Sequence, residues 1–281
     1  MEGAIALPST VFGPPSLIAS DVDGTLVADD NIVGPITRGA LERAAESGVQ
    51  LVLATGRPPR WLGEIAAQLP RVQYAVCANG AVLYDISQDL ILHSVTLDPT
   101  ALAWLAGIAH ELLPGCGLAA ERAGMSAHDS ATAPFVATTD YRHAWLNPDH
   151  IALSEEDLIA EAAVKMLVRC PDLPSDEMAA RLRPAIGDVA DLTFSTDNGL
   201  IELAAPGVNK AAGLQLLAEI ASLPTDSVIA FGDMPNDVAM LQWASRGVAM
   251  GDAHPEAREA ADEIAASVAN DGVGRVLSRW F

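Results

Sequence analysis

Short apolar segments alternate with amphipathic ones over the first eighty residues of the chain. Leu17–Ser20, Val49–Thr55 and the run YAVCAN at 74–79 are apolar, and each ends in polar or small residues. Such runs are typical of buried parallel strands. The segments between them have helical patterns, the first opening at Pro35 and the second at a proline pair and continuing through Leu69. This order predicts a parallel sheet with right-handed crossovers.

The pattern changes at Val82 and returns near Val208. Between these points the hairpin-like pair AVLYDI and LILHSVTL is followed by short strand candidates and two helical stretches, and residues 127–153 show no clear period. After Val208 the sequence again alternates helical and apolar segments. The predicted fold is α/β, with a doubly wound, Rossmann-like core at 1–82 and 202–281. An α+β cap domain at 83–201 is predicted to be inserted into this core.

Charge limits the ligands that such a chain can bind. Of its 281 residues, 37 are acidic and 16 are basic, which gives a formal net charge of −21, while half are hydrophobic. A large core is therefore expected, and the negative field disfavours nucleic acid and anionic membranes as partners. An anionic small molecule needs a metal or a local cation to reverse this field where it docks.

The cysteines and the N-terminus favour a cytoplasmic location. The three cysteines, Cys77, Cys116 and Cys170, include no C-x-x-C pair, and free thiols in a reducing compartment are expected. The first sixteen residues have no basic region before an apolar stretch, so a secretory signal is not predicted. No apolar run reaches the ~20 residues that a membrane helix needs. We expect a monomer or a small homo-oligomer.

Two carboxylates follow the first predicted strand in the sequence Asp21-Val22-Asp23-Gly24-Thr25. Residues two apart in an extended segment face the same way, so both can point into one site. There they could bind a hard cation such as Mg²⁺, attack phosphorus, or transfer protons. A single D-x-D-G is nevertheless more often a structural turn. An EF-hand is disfavoured because the glycine comes fourth rather than sixth and no distal Glu follows, and no P-loop motif is present.

Four polar segments together are far more specific than this turn alone. DVDGTL, LATGR, GVNKAAGL and GDMPNDVAML occur in this order, each at a predicted strand end or helix start. With ANGA and the tail GVAMGDAHPEAREAADEIA they resemble the haloacid dehalogenase superfamily, and most closely its Cof-type members with a large α/β (type IIB) cap. The polar residues in the four segments are Asp21 and Asp23, Thr55, Lys210, and Asp233, Asn236 and Asp237.

The resemblance implies a Mg²⁺-dependent phosphatase of small phosphorylated metabolites, with sugar phosphates first and cofactor phosphates next. Asp21 would be the nucleophile that forms an aspartyl-phosphate, and Asp23 the general acid and base. The phosphoryl group would be bound by Thr55, Gly56, Lys210 and Asn236. The metal would be bound by Asp21, Asp23, Asp233 and Asp237, with Asp23 contributing its backbone carbonyl.

Several residues keep a second interpretation. Thr55 could cap the following helix, and Asn79 could bind substrate or simply form a turn. Arg57 is unassigned, and Lys165 is expected to be an outward-facing strand residue. Asp252 stands where the family often has asparagine, and it adds a negative charge near the predicted site.

Two other functions remain open at this point. A phosphomutase of the same fold would return the phosphoryl group to a sugar, and a non-catalytic sensor would only bind a phosphometabolite. A sensor would be expected to have lost Asp21, Asp23 or Lys210, and all three are present. This favours an enzyme.

Overall fold

The computed structural model describes residues 13–144 and 150–281. The first twelve residues, on which the argument about a secretory signal partly rests, lie outside this range. The described strands are β1 Leu17–Ser20, β2 Gln50–Ala54, β3 Tyr74–Cys77, β4 Val82–Asp85, β5 Leu90–Ser94, β6 Gly117–Glu121, β7 Phe135–Ala137, β8 His150–Ala152, β9 Lys165–Arg169, β10 Asp191–Thr193, β11 Leu200–Ala204, β12 Val228–Gly232, β13 Arg246–Ala249 and β14 Glu263–Ile264. The described α-helices are α1 Pro35–Glu46, α2 Gly63–Ala66, α3 Pro99–Leu112, α4 Glu155–Ile159, α5 Ser175–Ile186, α6 Lys210–Ala221, α7 Val238–Trp243, α8 Pro255–Ala260 and α9 Gly272–Leu277.

The larger sheet has the strand order β14-β13-β12-β1-β2-β3-β4-β5. Pairing is parallel from β14 to β3, and β4 and β5 continue the sheet as an antiparallel hairpin. Every residue of β1 and β12 is buried, as expected for central parallel strands that are covered on both faces. The predicted fold class, a doubly wound parallel sheet, is confirmed.

The second sheet is built from the middle of the chain, in the order β10-β11-β9-β6-β7-β8. Helices α3 and α5 belong to the same stretch and pack against each other. The sequence analysis assigned the β4–β5 hairpin to the cap, whereas its hydrogen bonds join it to the larger sheet. A hairpin pattern shows that two strands pair, but it does not show which sheet they extend. The division into two domains stays a prediction.

Two segments differ from the expected pattern or were not assigned. The helix predicted after Pro58 is instead a 3-10 turn at Pro59–Trp61 followed by the four-residue α2. Gly63, at the junction, has a low helix propensity. The unassigned stretch 127–153 contains β7 and β8, which have three residues each and are too short to show a period. Residues 145–149 of this stretch lie outside the described residues.

No helix in the described part of the chain is long and apolar enough to cross a membrane.

The end of β3 makes a close backbone approach to the start of α6. Asn79 has a φ of 58° and Gly80 a φ of 111°. A Cβ atom on Gly80 would lie 2.2 Å from the carbonyl oxygen of Asn209. Asn209 is the N-cap residue of α6, and its side chain accepts a hydrogen bond from the N–H of Ala212 at 3.0 Å. Gly80 therefore lets the third strand touch the helix that begins with Lys210.

We predict that Gly80→Ala lowers the free energy of unfolding by about 2 kcal/mol or more, because of the strained φ and the backbone collision. The matched control is Gly107→Ala, since Gly107 lies inside α3 and the space that an added Cβ atom would occupy is open. That change should raise stability by about 0.5–1 kcal/mol. Denaturant unfolding measures both, and equal midpoints for the two variants would contradict the packing described above.

Candidate active site

The parallel pairing of β1 and β12 brings two acidic loops together. In the register of this pair Ser20 lies opposite Phe231, and the N–H of Asp21 donates to the carbonyl of Phe231 at 3.0 Å. Asp21 and Asp233 are thus the first polar residues after two adjacent strands. This edge of the sheet is where ligands bind in open α/β folds.

A buried ion cluster lies at this edge. Carboxylate oxygens of Asp21, Asp233 and Asp237 lie within 4.8 Å of one another. The ammonium group of Lys210 donates to Asp21 Oδ1 at 2.5 Å and to Asp237 Oδ1 at 2.6 Å. Lys210 has no exposed surface, although it occupies the first position of α6, where the helix dipole disfavours a cation. Its two carboxylate partners compensate for both costs.

The remaining oxygen of Asp237 organises the loop after β12. Its Oδ2 accepts the backbone N–H groups of Asp233 and Met234 at 2.9 and 3.0 Å. Asp237 therefore bonds to Lys210 through one oxygen and to the backbone through the other. This leaves Asp21 and Asp233 as the carboxylates best placed to bind a metal ion.

Burial and mutual repulsion dominate the electrostatics of the cluster. Burial raises the pKa of Asp21 well above its ordinary value, and Lys210 opposes this shift. Burial and the neighbouring Asp237 raise the pKa of Asp233 to about 7, against the effect of Lys210. Burial alone would lower the pKa of Lys210, but Asp21 and Asp237 raise it above its ordinary value. Three carboxylates thus surround one ammonium group, and the cluster has excess negative charge.

These residues fit Mg²⁺. The ion prefers carboxylate oxygens and retains several waters, and its charge would offset the excess of the cluster. Thr25 Oγ1 donates to Asp233 Oδ1 at 3.1 Å and orients that carboxylate. Gly24 has a φ of 73°, and a Cβ atom there would lie 2.3 Å from Asp233 Oδ2. Glycine is therefore required for the two acidic loops to approach each other.

The side chain of Asp23 lies outside the cluster. Its carboxylate accepts hydrogen bonds from two nitrogen atoms of Arg57, the shortest at 2.6 Å from Nη2 and 2.9 Å from Nε. Arg57 Nη2 also donates to Asn31 Oδ1 at 2.6 Å. The Asp23 side chain remains 58% exposed, at the edge of the cavity described below. Arg57, which the sequence analysis left unassigned, therefore holds Asp23 in position.

A polar network connects the core to the second sheet. Asn236 Nδ2 donates to Asn79 Oδ1 at 3.0 Å, and Asn79 Nδ2 donates to Glu202 Oε2 at 2.8 Å. Lys165 Nζ donates to the same Glu202 oxygen at 2.6 Å and to the carbonyl of Gly56 at 2.9 Å. The expectation that Lys165 faces outward is wrong, because all five residues of β9 are buried. Asn79 joins this network from its left-handed turn.

A cavity of about 630 Å³ lies between the two sheets. Asp21 and Asp23 contribute to its core side, and the second sheet contributes Phe135 and Leu167. At its margin Arg60, from the core, pairs with Glu121 of β6, both of them largely buried. The site is thus enclosed by side chains from both halves of the molecule.

A family model for haloacid dehalogenase-like hydrolases matches residues 18–277. The chain belongs to this family. The predicted family and enzyme class are confirmed. The four residues of the buried cluster are among those to which the resemblance assigned catalytic, phosphate-binding or metal-binding roles.

Named relatives of this hydrolase are phosphatases. The 5-amino-6-(5-phospho-D-ribitylamino)uracil phosphatase YcsE of Bacillus subtilis is 28% identical, with 94% of this chain and 95% of the relative covered. An HMP-PP phosphatase of Cronobacter sakazakii is also 28% identical, with 85% of each chain covered. Among solved structures, BT1666 from Bacteroides thetaiotaomicron, described as a phosphatase of this superfamily, has a TM-score of 0.76 at 21% identity. The aligned region covers 99% of this chain and 98% of that one, which shows a shared fold.

The site residues that were predicted from the sequence lie in two parts of the structure. Asp21, Lys210, Asp233 and Asp237 form the buried cluster, whereas Asp23, Gly56 and Asn236 line the cavity. Thr55 is buried between them, and its Oγ1 accepts the N–H of Arg57 at 3.0 Å. The hydroxyl thus stabilises the turn after β2 and does not cap the following helix, whose N-cap residue is Pro58, and it still has a proton to donate. Asp252 is exposed and is not part of the cavity lining.

Sequence reasoning missed Glu202, Glu121 and Arg60. Each is a charged residue in a pattern that is typical of an ordinary strand or turn, and each is largely buried against a partner that is distant in sequence. The one available signal was GLIELA, in which a glutamate interrupts an apolar strand. An isolated charge in a buried strand needs a partner, and this would have directed attention to Lys165.

We predict that Lys210→Met in the metal-free hydrolase lowers the free energy of unfolding by about 3–5 kcal/mol, because it leaves two buried carboxylates without a cation. Burial already holds the pKa of Asp21 above its unfolded value, so the folded variant binds more protons than the unfolded chain. Its deficit should therefore shrink as the pH falls from about 8 to about 5. Denaturant unfolding with a chelator present measures this.

The control for this variant is Asp21→Asn, which keeps the pair between Lys210 and Asp237. It should cost much less at every pH. A deficit in Lys210→Met that is small, or that grows as the pH falls, would contradict the ion cluster.

Proposed function

We propose that this hydrolase is a Mg²⁺-dependent phosphatase of small phosphorylated metabolites, acting through an aspartyl-phosphate on Asp21. The observation that carries the proposal is the buried Asp21 carboxylate, which is held by Lys210 at the end of β1 and opens into the cavity. Lys210 and the metal would neutralise charge as phosphorus is attacked. Phosphoryl transfer depends mainly on such positioning and neutralisation.

The first step forms the bond between an Asp21 oxygen and phosphorus and breaks the bond from phosphorus to the leaving oxygen. Asp23 donates a proton to that oxygen. To do so it leaves the Arg57 pair in which it is held, and its exposed position permits this rotation. In the second step water attacks phosphorus, Asp23 accepts the proton of the water, and the bond to Asp21 breaks. The products are inorganic phosphate, the dephosphorylated metabolite and the free enzyme.

The phosphoryl oxygens would be bound by groups around this nucleophile. The Thr55 hydroxyl, the backbone at Gly56, the Lys210 ammonium and the Asn236 amide are the four donors. The Asn236 side chain lines the cavity, and its Nδ2, which donates one hydrogen to Asn79 Oδ1, has a second hydrogen to donate. A buried amide with unused capacity is common beside a ligand site. Asp21 and Asp233 would hold the metal, Asp23 would add its backbone carbonyl, and Asp237 would fix the loop.

The cavity supports a small metabolite as substrate. Its volume of about 630 Å³ lies in the range of pockets for small molecules. Two curated relatives are named for a phosphoribityl-aminouracil and for HMP-PP, and both of these are small phosphorylated compounds. We propose sugar phosphates as the first class to test and cofactor-related phosphates as the second.

We expect phosphate release from a panel of phosphorylated metabolites to require Mg²⁺ and to be lost in Asp21→Asn. A fall in kcat of at least about a thousandfold is expected, because the nucleophile is removed. Release of inorganic phosphate with Mg²⁺ and with chelator measures this, and Glu219→Gln, a change on the exposed face of α6, is the control. No release from any compound by the folded, metal-loaded protein would exclude a phosphatase. Turnover that instead requires a sugar bisphosphate would indicate a phosphomutase.

We expect Asp23→Asn to discriminate between leaving groups. An alkyl phosphate needs a proton on its leaving oxygen, whereas p-nitrophenolate leaves without one, so the rate of the first step, in which the leaving group is released, should fall by about 10²–10⁴ for the alkyl phosphate and much less for p-nitrophenyl phosphate. Single-turnover rates with glucose 6-phosphate and p-nitrophenyl phosphate measure this. Equal losses for both compounds would show that Asp23 acts by position or charge rather than by proton transfer.

A further inference from the structure

The cavity contains more negative than positive side chains. Among the described residues, six carboxylates and three cations line it. The carboxylates are Asp21, Asp23, Asp29, Glu64, Glu121 and Glu202, and the cations are Arg57, Arg60 and Lys165. Asp21 and Asp23 belong to the phosphoryl end, so the other four carboxylates border the space that is left for the rest of a substrate.

Each cation of the lining already has a carboxylate partner. Arg57 is held by Asp23. Arg60 pairs with Glu121, and its Nη2 lies 3.2 Å from Glu121 Oε2. The side chains of this second pair are only 8% and 6% exposed. Arg60 is therefore not available to bind a second anionic group, and Arg57 is released only when Asp23 turns to the leaving oxygen, at the phosphoryl end of the cavity.

The third pair, Lys165–Glu202, is fixed from several sides. Lys165 Nζ lies 2.6 Å from Glu202 Oε2, and both side chains are buried. Ser195 Oγ donates to the other oxygen of Glu202 at 2.5 Å. The Lys165 charge is thus neutralised within the wall of the cavity. The Ser195 hydroxyl can still accept a hydrogen bond from a substrate hydroxyl.

We propose that Glu121 and Glu202 determine specificity by excluding a second negative charge, so that the substrate is a phosphate monoester whose leaving group is uncharged and carries hydroxyl groups. This inference rests on the proposed phosphatase function. A carboxylate or second phosphate group in this space would lie beside Glu121 and Glu202, or would have to displace one of them from its cation. Like charges placed together are strongly unfavourable, and so is breaking a buried pair.

With this arrangement, positive charge that can attract an anion is present at only one end of the cavity. Lys210 and the bound metal act on the phosphoryl group beside Asp21, and the wall formed by the second sheet offers neutral pairs and hydroxyl groups. A sugar bisphosphate fits this distribution poorly. The proposal therefore also favours hydrolysis over a mutase reaction, which needs a bisphosphate.

A matched pair of compounds tests the proposal. Sorbitol 6-phosphate and 6-phosphogluconate have the same chain length and phosphate position, and differ in a hydroxymethyl group against a carboxylate at the far end. Both are measured as competitors of p-nitrophenyl phosphate hydrolysis. We expect sorbitol 6-phosphate to bind at least about tenfold more tightly. Equal apparent affinities, or tighter binding of the acid, would overturn the proposal.

Two variants in which a glutamate is replaced by the uncharged glutamine test the roles of Glu121 and Glu202. Glu121→Gln removes a carboxylate and releases Arg60, and should reduce the preference for sorbitol 6-phosphate by about tenfold. Glu202→Gln should change it in the same direction. Glu219→Gln removes the same charge from an exposed helix position and should leave the preference unchanged. A ratio that stays constant in both cavity variants, with both affinities falling equally, would show that the pairs only hold the two sheets together.

The assay separates this inference from the function on which it rests. If p-nitrophenyl phosphate is not hydrolysed by the folded, metal-loaded protein, the phosphatase proposal fails. If it is hydrolysed and the two compounds compete equally, the phosphatase proposal stands and the specificity proposal fails. Thermal midpoints of all variants confirm that the compared proteins are folded.

Discussion

The buried Lys210 ammonium group, held between Asp21 and Asp237, is the interaction on which the site depends. It joins the end of β1 to the start of α6 and the loop after β12, which lie 189 residues or more further along the chain. A buried charge is tolerated only when it is paired, and here the pairing is shared among groups that are also close to one another. The site therefore stores electrostatic repulsion that a divalent cation can relieve. Stability has been given up for a cluster that is arranged for chemistry.

The backbone around this cluster has little freedom. Gly24 permits the contact with Asp233, and Gly80 permits the contact of β3 with the residue that caps α6. In each case the neighbouring atoms occupy the space in which the Cβ atom of any other residue would lie. The absence of a side chain at these two glycines therefore allows the loops to come within hydrogen-bonding distance of each other. The sheet brings the strand ends to the same edge, and these glycines allow the loops that follow to make direct contact.

The apolar runs of the sequence predicted the fold class, and the four motifs that carry the family resemblance predicted the members of the cluster. Apolar runs fix the parallel strands, and polar residues at their ends must share one edge of the sheet. The contacts of Lys165 and Arg60 could not be predicted, because their partners Glu202 and Glu121 are 37 and 61 residues away in the sequence and belong to other elements. The pairing of the hairpin β4–β5 with β3, across the predicted start of the cap, could not be predicted for a related reason. Local patterns reveal that a strand pairs, but the choice of partner is a long-range property.

The ion cluster around Lys210 and the ion pairs in the cavity wall differ in net charge. This difference bears on which anionic ligands the site can select. Around Lys210 carboxylates exceed cations, so under the proposed function the phosphoryl end would gain its affinity for an anion only when a metal is bound. Around Arg60 and Lys165 each cation is matched by one carboxylate, so that wall is neutral with or without a metal. A chain with a net charge of −21 would then attract a phosphate at one point without attracting anions generally. In that case metal binding and substrate binding would be thermodynamically coupled, since each would reduce the electrostatic cost that opposes the other.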